Sequence, residues 1–451
     1  MTRLPIAALL LLIGFSMWSP IWAVTALVVM YPLEVLLQAS AAIFVSQAAL
    51  LNVLVAALLS LAIVRRMISG EPIVRDLATP TFAACVGFYL WGYFSGLWSA
   101  TEWAFATETV RALPYWPLFL LLAPMLVGRI EEVGTLVGTT MIAGLVVAGL
   151  LIVNPNVDLS AARLGIAYGS DNRGNPLELG TLGGNIMLMG ALTLLVRPGL
   201  TSIGIRSAAI FVGAGLTLLS GSRGQLIGAV VAILAMVPIN YRALSTRGFG
   251  LTALAGLVFA GGFLFAFDAF VTQENDRRWA VQSLAVGGSG RLENSIDLLT
   301  AYASSPANWL QGLGLYGFAS VESRSGAPYT HVLLADALGE GGIVGFSILM
   351  FILYSVVRIG FRFERMVRHD PVARANVCVL LAMVVYHFFL ANKQGNMLGN
   401  PLLYTFAIML ARTCREYESR EVAVDDLDWE SEDEATLGEH SDDLRGVPIG
   451  A

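Results

Sequence analysis

The sequence is short of charge and, above all, of lysine. Only 13% of its 451 residues are Asp, Glu, Lys or Arg, about half the share of a soluble domain. Lys393 is the one lysine among 27 basic residues, and this gives nucleic-acid binding no compositional support. Cysteine is scarce too. Cys85 and Cys378 lie inside apolar runs and Cys414 ends one, a spacing that suggests neither disulfides nor a metal site. No segment of roughly 20–50 residues recurs, which removes repeat architectures.

Long apolar runs fill the chain instead. It is 56% hydrophobic, with a mean hydropathy of +0.70. Its runs repeatedly reach the ~20 residues that cross a ~30 Å hydrocarbon core. Lipid exposure permits only helices or closed barrels. The runs are continuous rather than alternating, so the expected fold is all-α, a polytopic membrane protein. Met1-Thr2-Arg3 and the apolar run after it could pass for a signal peptide. No cleavage site convinces, so this run is read as the first span. The formal charge of −6 comes from acids clustered between Glu416 and Asp443. Residues 1–415 therefore form the membrane domain, and 416–451 an acidic, disordered cytoplasmic tail.

Arginine-bearing loops set the orientation. Arg3, Arg65, Arg66 and Arg75 are all inside, so an even number of spans separates them: two, near 5–30 and 45–64. Pro32 and Glu34 then fall in an interfacial connection. Further spans are expected at 80–98, 111–128, 133–153 and 178–196, two within 207–240, and then at 249–267, 341–358, 375–391 and 400–412. That makes about twelve, with both termini cytoplasmic and one large outer loop, 268–340.

Eight basic residues then lie outside, against the bias: Arg163, Arg173, Arg223, Arg277, Arg278, Arg291, Arg324 and Lys393. Arg223 is the sharpest case. It sits in Ser220-Gly221-Ser222-Arg223-Gly224 between two short apolar runs, with no acid nearby in sequence. A charge at such a depth costs roughly 2.5–3.5 kcal/mol. The glycines allow a tight turn. The hydroxyls of Ser220 and Ser222 and the planar guanidinium suit phosphate oxygens. The competing reading is an arginine snorkelling to headgroups. Arg291 follows Gly287-Gly288-Ser289-Gly290 and opens a helical pattern (Leu292, Ile296, Leu299). That places it at a helix start, where anions are favoured, or else paired with Glu293. His331 is the only outer histidine. It begins a short helix, Val332 to Leu338, with Thr330 as candidate N-cap. Its imidazole can take a proton from a hydroxyl near neutral pH; the alternative is a structural interfacial histidine. The turn-rich loop 154–177 holds Arg163, Asp171, Asn172, Arg173 and Asn175-Pro176, and either binds sugar hydroxyls or is a plain connection. Arg324 and Glu340 complete the possible substrate contacts.

Together these stretches resemble the O-antigen ligase / O-antigen polymerase superfamily of bacterial envelope glycosyltransferases. The motifs that carry the resemblance are Leu219-Ser220-Gly221-Ser222-Arg223-Gly224, Ser289-Gly290-Arg291-Leu292, and Pro306 with Gly312-Leu313-Gly314. Thr330-His331 with Leu333, Glu340-Gly341-Gly342-Ile343-Val344-Gly345, and Asn172-Arg173-Gly174-Asn175-Pro176 complete them. The likeness covers roughly 160–360; elsewhere only the topology matches. The family usually has Asn after the loop histidine, and here Val332 stands there. The resemblance implies a multi-pass protein of the bacterial inner membrane with its site facing the periplasm. It implies transfer of a glycan from an undecaprenyl diphosphate carrier. In ligases the acceptor is lipid A–core, in polymerases another lipid-linked repeat unit, and in related oligosaccharyltransferases a protein Ser or Thr. Arg223 and Arg291 would hold the leaving diphosphate and His331 would serve as general base. The expected reaction inverts the anomeric centre and calls for no metal and no cofactor. Its partners are the lipid-linked donor, an acceptor glycan or lipid A–core, and membrane lipids.

Two other classes compete. A secondary transporter or lipid flippase wants charges in the spans and symmetry between halves; here the in-span charges are few and no repeat is visible. A scaffold would act through the acidic tail.

Overall fold

The computed structural model describes residues 3–47, 49–101, 115–158, 165–168, 172–173, 176–193, 199–240, 281–321 and 329–420, with isolated positions between 101 and 115. The architecture is helical. The described strands are short: β1 (Val157–Asp158), β2 (Gly165–Tyr168) and β3 (Asn172–Arg173) form an antiparallel meander in that order. Loop 154–177 thus carries a small sheet, with Val157 opposite Ile166 and Ala167 opposite Arg173.

Five helices are long and apolar enough to cross a membrane, or six if one bent pair counts as a span. These helices are consistent with a helical membrane protein. The expected twelve crossings are not reached among the described residues, partly because 249–267 lies outside them. The expected first span, 5–30, is broken. It divides into α1 (Leu4–Trp18) and α2 (Pro20–Val28), and α3 (Met30–Gln38) follows at a 67° bend. Pro20 causes the first break, since it disfavours helical backbone at the residue before it. Ser19 is extended, with φ −129° and ψ 127°. Arg65, near the end of α4 (Leu50–Ile68), donates to the freed carbonyls of Met17 and Trp18. The segment holding Pro32, expected as an interfacial connection, is a helix packed into the protein, with Leu33, Leu36 and Leu37 buried.

Next come α5 (Pro80–Ser95), α6 (Tyr115–Leu126), α7 (Ile130–Ile152) and α8 (Pro176–Thr193). The stretch 207–240 does hold two helices joined by a turn. They are α9 (Leu200–Leu219) and α10 (Arg223–Asn240). After the undescribed stretch come α11 (Val281–Ala303) and α12 (Pro306–Gln311). The last four α-helices among the described residues are α13 (Leu333–Gly339), α14 (Gly342–Met366), α15 (Pro371–Ala391) and α16 (401–420). α8 packs along α9, while α10 lies against both α8 and α15. α16 continues through Glu416, where the disordered tail was expected to begin. Glu416 pairs with Arg420 and Glu418 with Arg362, at 2.6 Å for the latter. The rest of the tail lies outside the described residues.

Candidate functional site

The turn between α9 and α10 builds one side of the site. Gly221 has φ +63°, a left-handed conformation that glycine adopts without a Cβ clash, and it reverses the chain within three residues. Ser220 is buried and donates its hydroxyl to Thr217 O at 2.9 Å. Ser222 Oγ is buried with no hydrogen-bond partner among the described residues. Half-buried Arg223 then opens α10. A helix start, a guanidinium and a hydroxyl therefore meet at one corner, as the sequence implied, and the N–H groups of such a start favour an anion.

Arg291 does not open a helix. α11 runs unbroken from Val281 to Ala303, so Gly287–Gly290 lie within it. A helical glycine costs about 1 kcal/mol. Packing on the far side of α11 outweighs that: Asn294, Ser295 and Leu298 are buried, and Leu298 joins Phe318 and Ala335 in a small core. The apolar pair Leu292 and Ile296 faces outward instead. Arg291 can contribute its own guanidinium, but no helix N-terminus. Among the described residues no ion pair joins Arg291 to Glu293, the alternative weighed for it.

His331 sits in the turn before α13, which α11 flanks. It has φ +66°, rare for a residue with a Cβ. Thr330 is wholly buried and holds this turn. Its Oγ1 donates to Asp336 Oδ1 at 2.6 Å and accepts the Val332 amide at 3.0 Å. Thr330 is thus not the helix N-cap that was expected. Val332 takes that position and the helix begins at Leu333. The His331 ring meets Tyr329 edge-on, with centroids 4.5 Å apart. Its Nδ1 is buried and has no hydrogen-bond partner among the described residues.

Two carboxyls follow the histidine, one in α13 and one at its C-terminal end, and the sequence reading gave neither a role in holding this turn. Asp336 and Glu340 are completely buried. Burial pushes Asp336 up to about 7, against the pull of the Thr330 hydrogen bonds. Burial and then Asp336 push Glu340 well above the usual carboxylate range. Glu340 Oε1 accepts the Phe318 amide at 3.2 Å. Glu340 is therefore enclosed and holds backbone in place; it offers a substrate no open face. The two glycine motifs interlock around it. Leu313 N donates to Gly339 O and Gly314 N to Glu340 O. Gly312 has φ +75° and Gly342 φ +66°, and a Cβ on Gly342 would lie 2.5 Å from Gly312 N. Only glycine fits both strands of this crossing.

Electrostatics links the three sequence-chosen residues. Burial and then the Arg223 charge lower the Arg291 pKa. Burial and then the Arg291 charge lower that of His331. Arg163, Asn175 and Arg324 lie outside the described residues, and Arg173 ends β3. The described residues hold no group of three His, Cys, Asp or Glu arranged for a metal ion. No protein-family model matches the chain, and comparison with curated proteins finds no match.

Proposed function

We propose that the protein transfers a glycan from a polyprenyl diphosphate carrier to an acceptor hydroxyl at the outer face of the bacterial inner membrane, with about twelve crossings around the site. The observation that carries this reading is the electrostatic chain Arg223–Arg291–His331. The Arg223 charge reaches Arg291, and the Arg291 charge reaches a half-buried histidine whose pKa is lowered, by burial first. Neutral imidazole is the form a general base needs.

His331 accepts the proton of the acceptor hydroxyl. The acceptor oxygen bonds to the anomeric carbon from the face opposite the carrier. The bond from that carbon to the carrier phosphate breaks, its electron pair stays on the diphosphate, and the centre inverts. Arg223 and Arg291 stabilise the charge that develops there, the task a divalent cation performs elsewhere. Of the acceptors, lipid A–core is preferred, which makes the protein O-antigen ligase-like. A polymerase joining lipid-linked repeat units is the second form of the same chemistry.

The test is transfer in a strain lacking the chain and complemented with His331→Ala, Arg223→Ala or Arg291→Ala. Each variant is expected at normal membrane abundance with glycan transfer abolished, and wild-type transfer by all three ends this mechanism. Transfer by the wild-type protein is expected to persist in excess EDTA. Carrier-linked long chains in the deletion strain identify a ligase, and single repeat units a polymerase.

A further inference from the structure

The loop 392–396, just after α15, joins the two sides of the site and carries the only lysine. Asn392 Oδ1 accepts the Leu334 amide at 3.2 Å, three residues beyond His331. Lys393 Nζ donates to Gln225 Oε1 at 2.6 Å, and Gln225 Nε2 donates to Gln394 Oε1 at 2.8 Å. Gln225 itself is fully buried. The lysine stem crosses the first turn of α10 directly over Gly224, where a Cβ would lie 2.5 Å from Lys393 Nζ. A glycine immediately after Arg223 therefore brings the ammonium close against the backbone beside that arginine.

We propose that Lys393 is the third cation of the donor site and binds the carrier's diphosphate together with Arg223 and Arg291. The proposal rests on the transferase reading above. Glycosyl transfer leaves the electron pair of the broken bond on the terminal phosphate. The released diphosphate is therefore more anionic than the bound donor, and an added positive charge favours the transition state over the ground state. A compact ammonium acts as a point charge on phosphate, whereas the guanidiniums supply forked contacts. Gln225 aims the ammonium through a neutral oxygen, and the loop that bonds Leu334 fixes its place relative to His331.

The test uses full-length protein in proteoliposomes, with inorganic pyrophosphate as the probe of the diphosphate site. Lys393→Met is expected to weaken pyrophosphate inhibition and lower kcat/KM, each by about tenfold or more, the usual scale for losing a charged hydrogen bond. Lys393→Arg, which keeps the charge, is expected to recover most of both. Unchanged pyrophosphate inhibition in folded Lys393→Met overturns the proposal, whether or not turnover falls. Failure of Lys393→Arg to recover either quantity also overturns it. If Arg223→Ala and His331→Ala are inactive while Lys393→Met behaves as wild type, only the lysine assignment falls. If those two variants and Arg291→Ala keep full transfer, the proposed donor-site mechanism falls and the lysine assignment goes with it.

Discussion

At the scale of single residues, the conformation of His331 needs explaining first. A left-handed backbone at a non-glycine residue costs about 1–3 kcal/mol and persists only where the surroundings impose it. Thr330 imposes it here, bonding Asp336 on one side and the Val332 amide on the other. Thr330→Val keeps the shape and removes both bonds. Leaving Asp336 Oδ1 and the amide unsatisfied costs about 1–3 kcal/mol each. The expected result is a protein that still inserts, melts lower, and loses transfer at least tenfold, as a transfer assay and a thermal melt would show. Unchanged transfer would remove the turn from the mechanism.

Two pH predictions follow from these environments. Arg291 helps hold the His331 pKa down, after burial, so imidazole stays neutral and able to act as base further into acid. Arg291→Gln removes that positive neighbour, so the His331 pKa rises and the ring protonates at higher pH. An NMR titration of the ring reads this shift without needing turnover, and a shift to lower pH would contradict it. Asp336 works on stability. Its folded pKa, about 7, exceeds the ordinary value of 3.8. Between those values the folded state binds more protons than the unfolded, so stability falls as pH rises through that window. Asp336→Asn retains an acceptor for Thr330 and does not ionise. Its melting temperature is expected to vary less than wild type between pH 4 and 7.

At the scale of elements, the turn at 220–224 was readable from sequence and the start of α11 was not. Gly221 sits between two apolar runs, so a reversal there puts both helices in an apolar setting. The run Gly287–Gly290 carries the same local signal, yet its helix continues. What overrides it is the contact of Leu298 with Phe318 and Ala335, tens of residues away in sequence. Local pattern cannot show such a contact. The hidden carboxylate role of Asp336 is similar, because only the fold places it under Thr330. Glycines reveal another close approach between elements. A Cβ on Gly183 would lie 2.5 Å from Gly213 O and 3.0 Å from Thr217 N, both backbone atoms of α9. Backbone cannot step aside as a side chain can. Gly183→Ala is expected to force α8 from α9 and destabilise by about 1–3 kcal/mol. Gly138→Ala, inside α7 and meeting nothing within 4 Å, should melt slightly higher than wild type in the same detergent, because alanine favours helix over glycine.

At the scale of the whole molecule, composition fixed the membrane class, but span count needed more than apolar length. Ser19–Pro20 divides an apolar run without any loss of hydropathy. Composition also placed the tail boundary too early. Glu416 and Glu418 look like the start of an acidic tail, but both are still helical and tied to the body of the protein. Their ion pairs alone are a weak tether, since exposed pairs contribute about 0–1 kcal/mol. Tyr417 is the stronger one. Its ring lies 5.7 Å from that of Phe363, which is fully buried in α14. Such aromatic pairs add about 0.5–1.5 kcal/mol beyond the area they bury. A chain ended after Arg420 therefore keeps every one of these contacts and is expected to melt and transfer as the full-length protein does. A chain ended after Arg415 loses Tyr417 together with both acids, and should melt measurably lower. Melting curves and transfer assays on the two truncations decide the matter. If the longer one lost transfer while remaining folded, the acidic segment would have a function of its own, and the scaffold reading would displace the transferase.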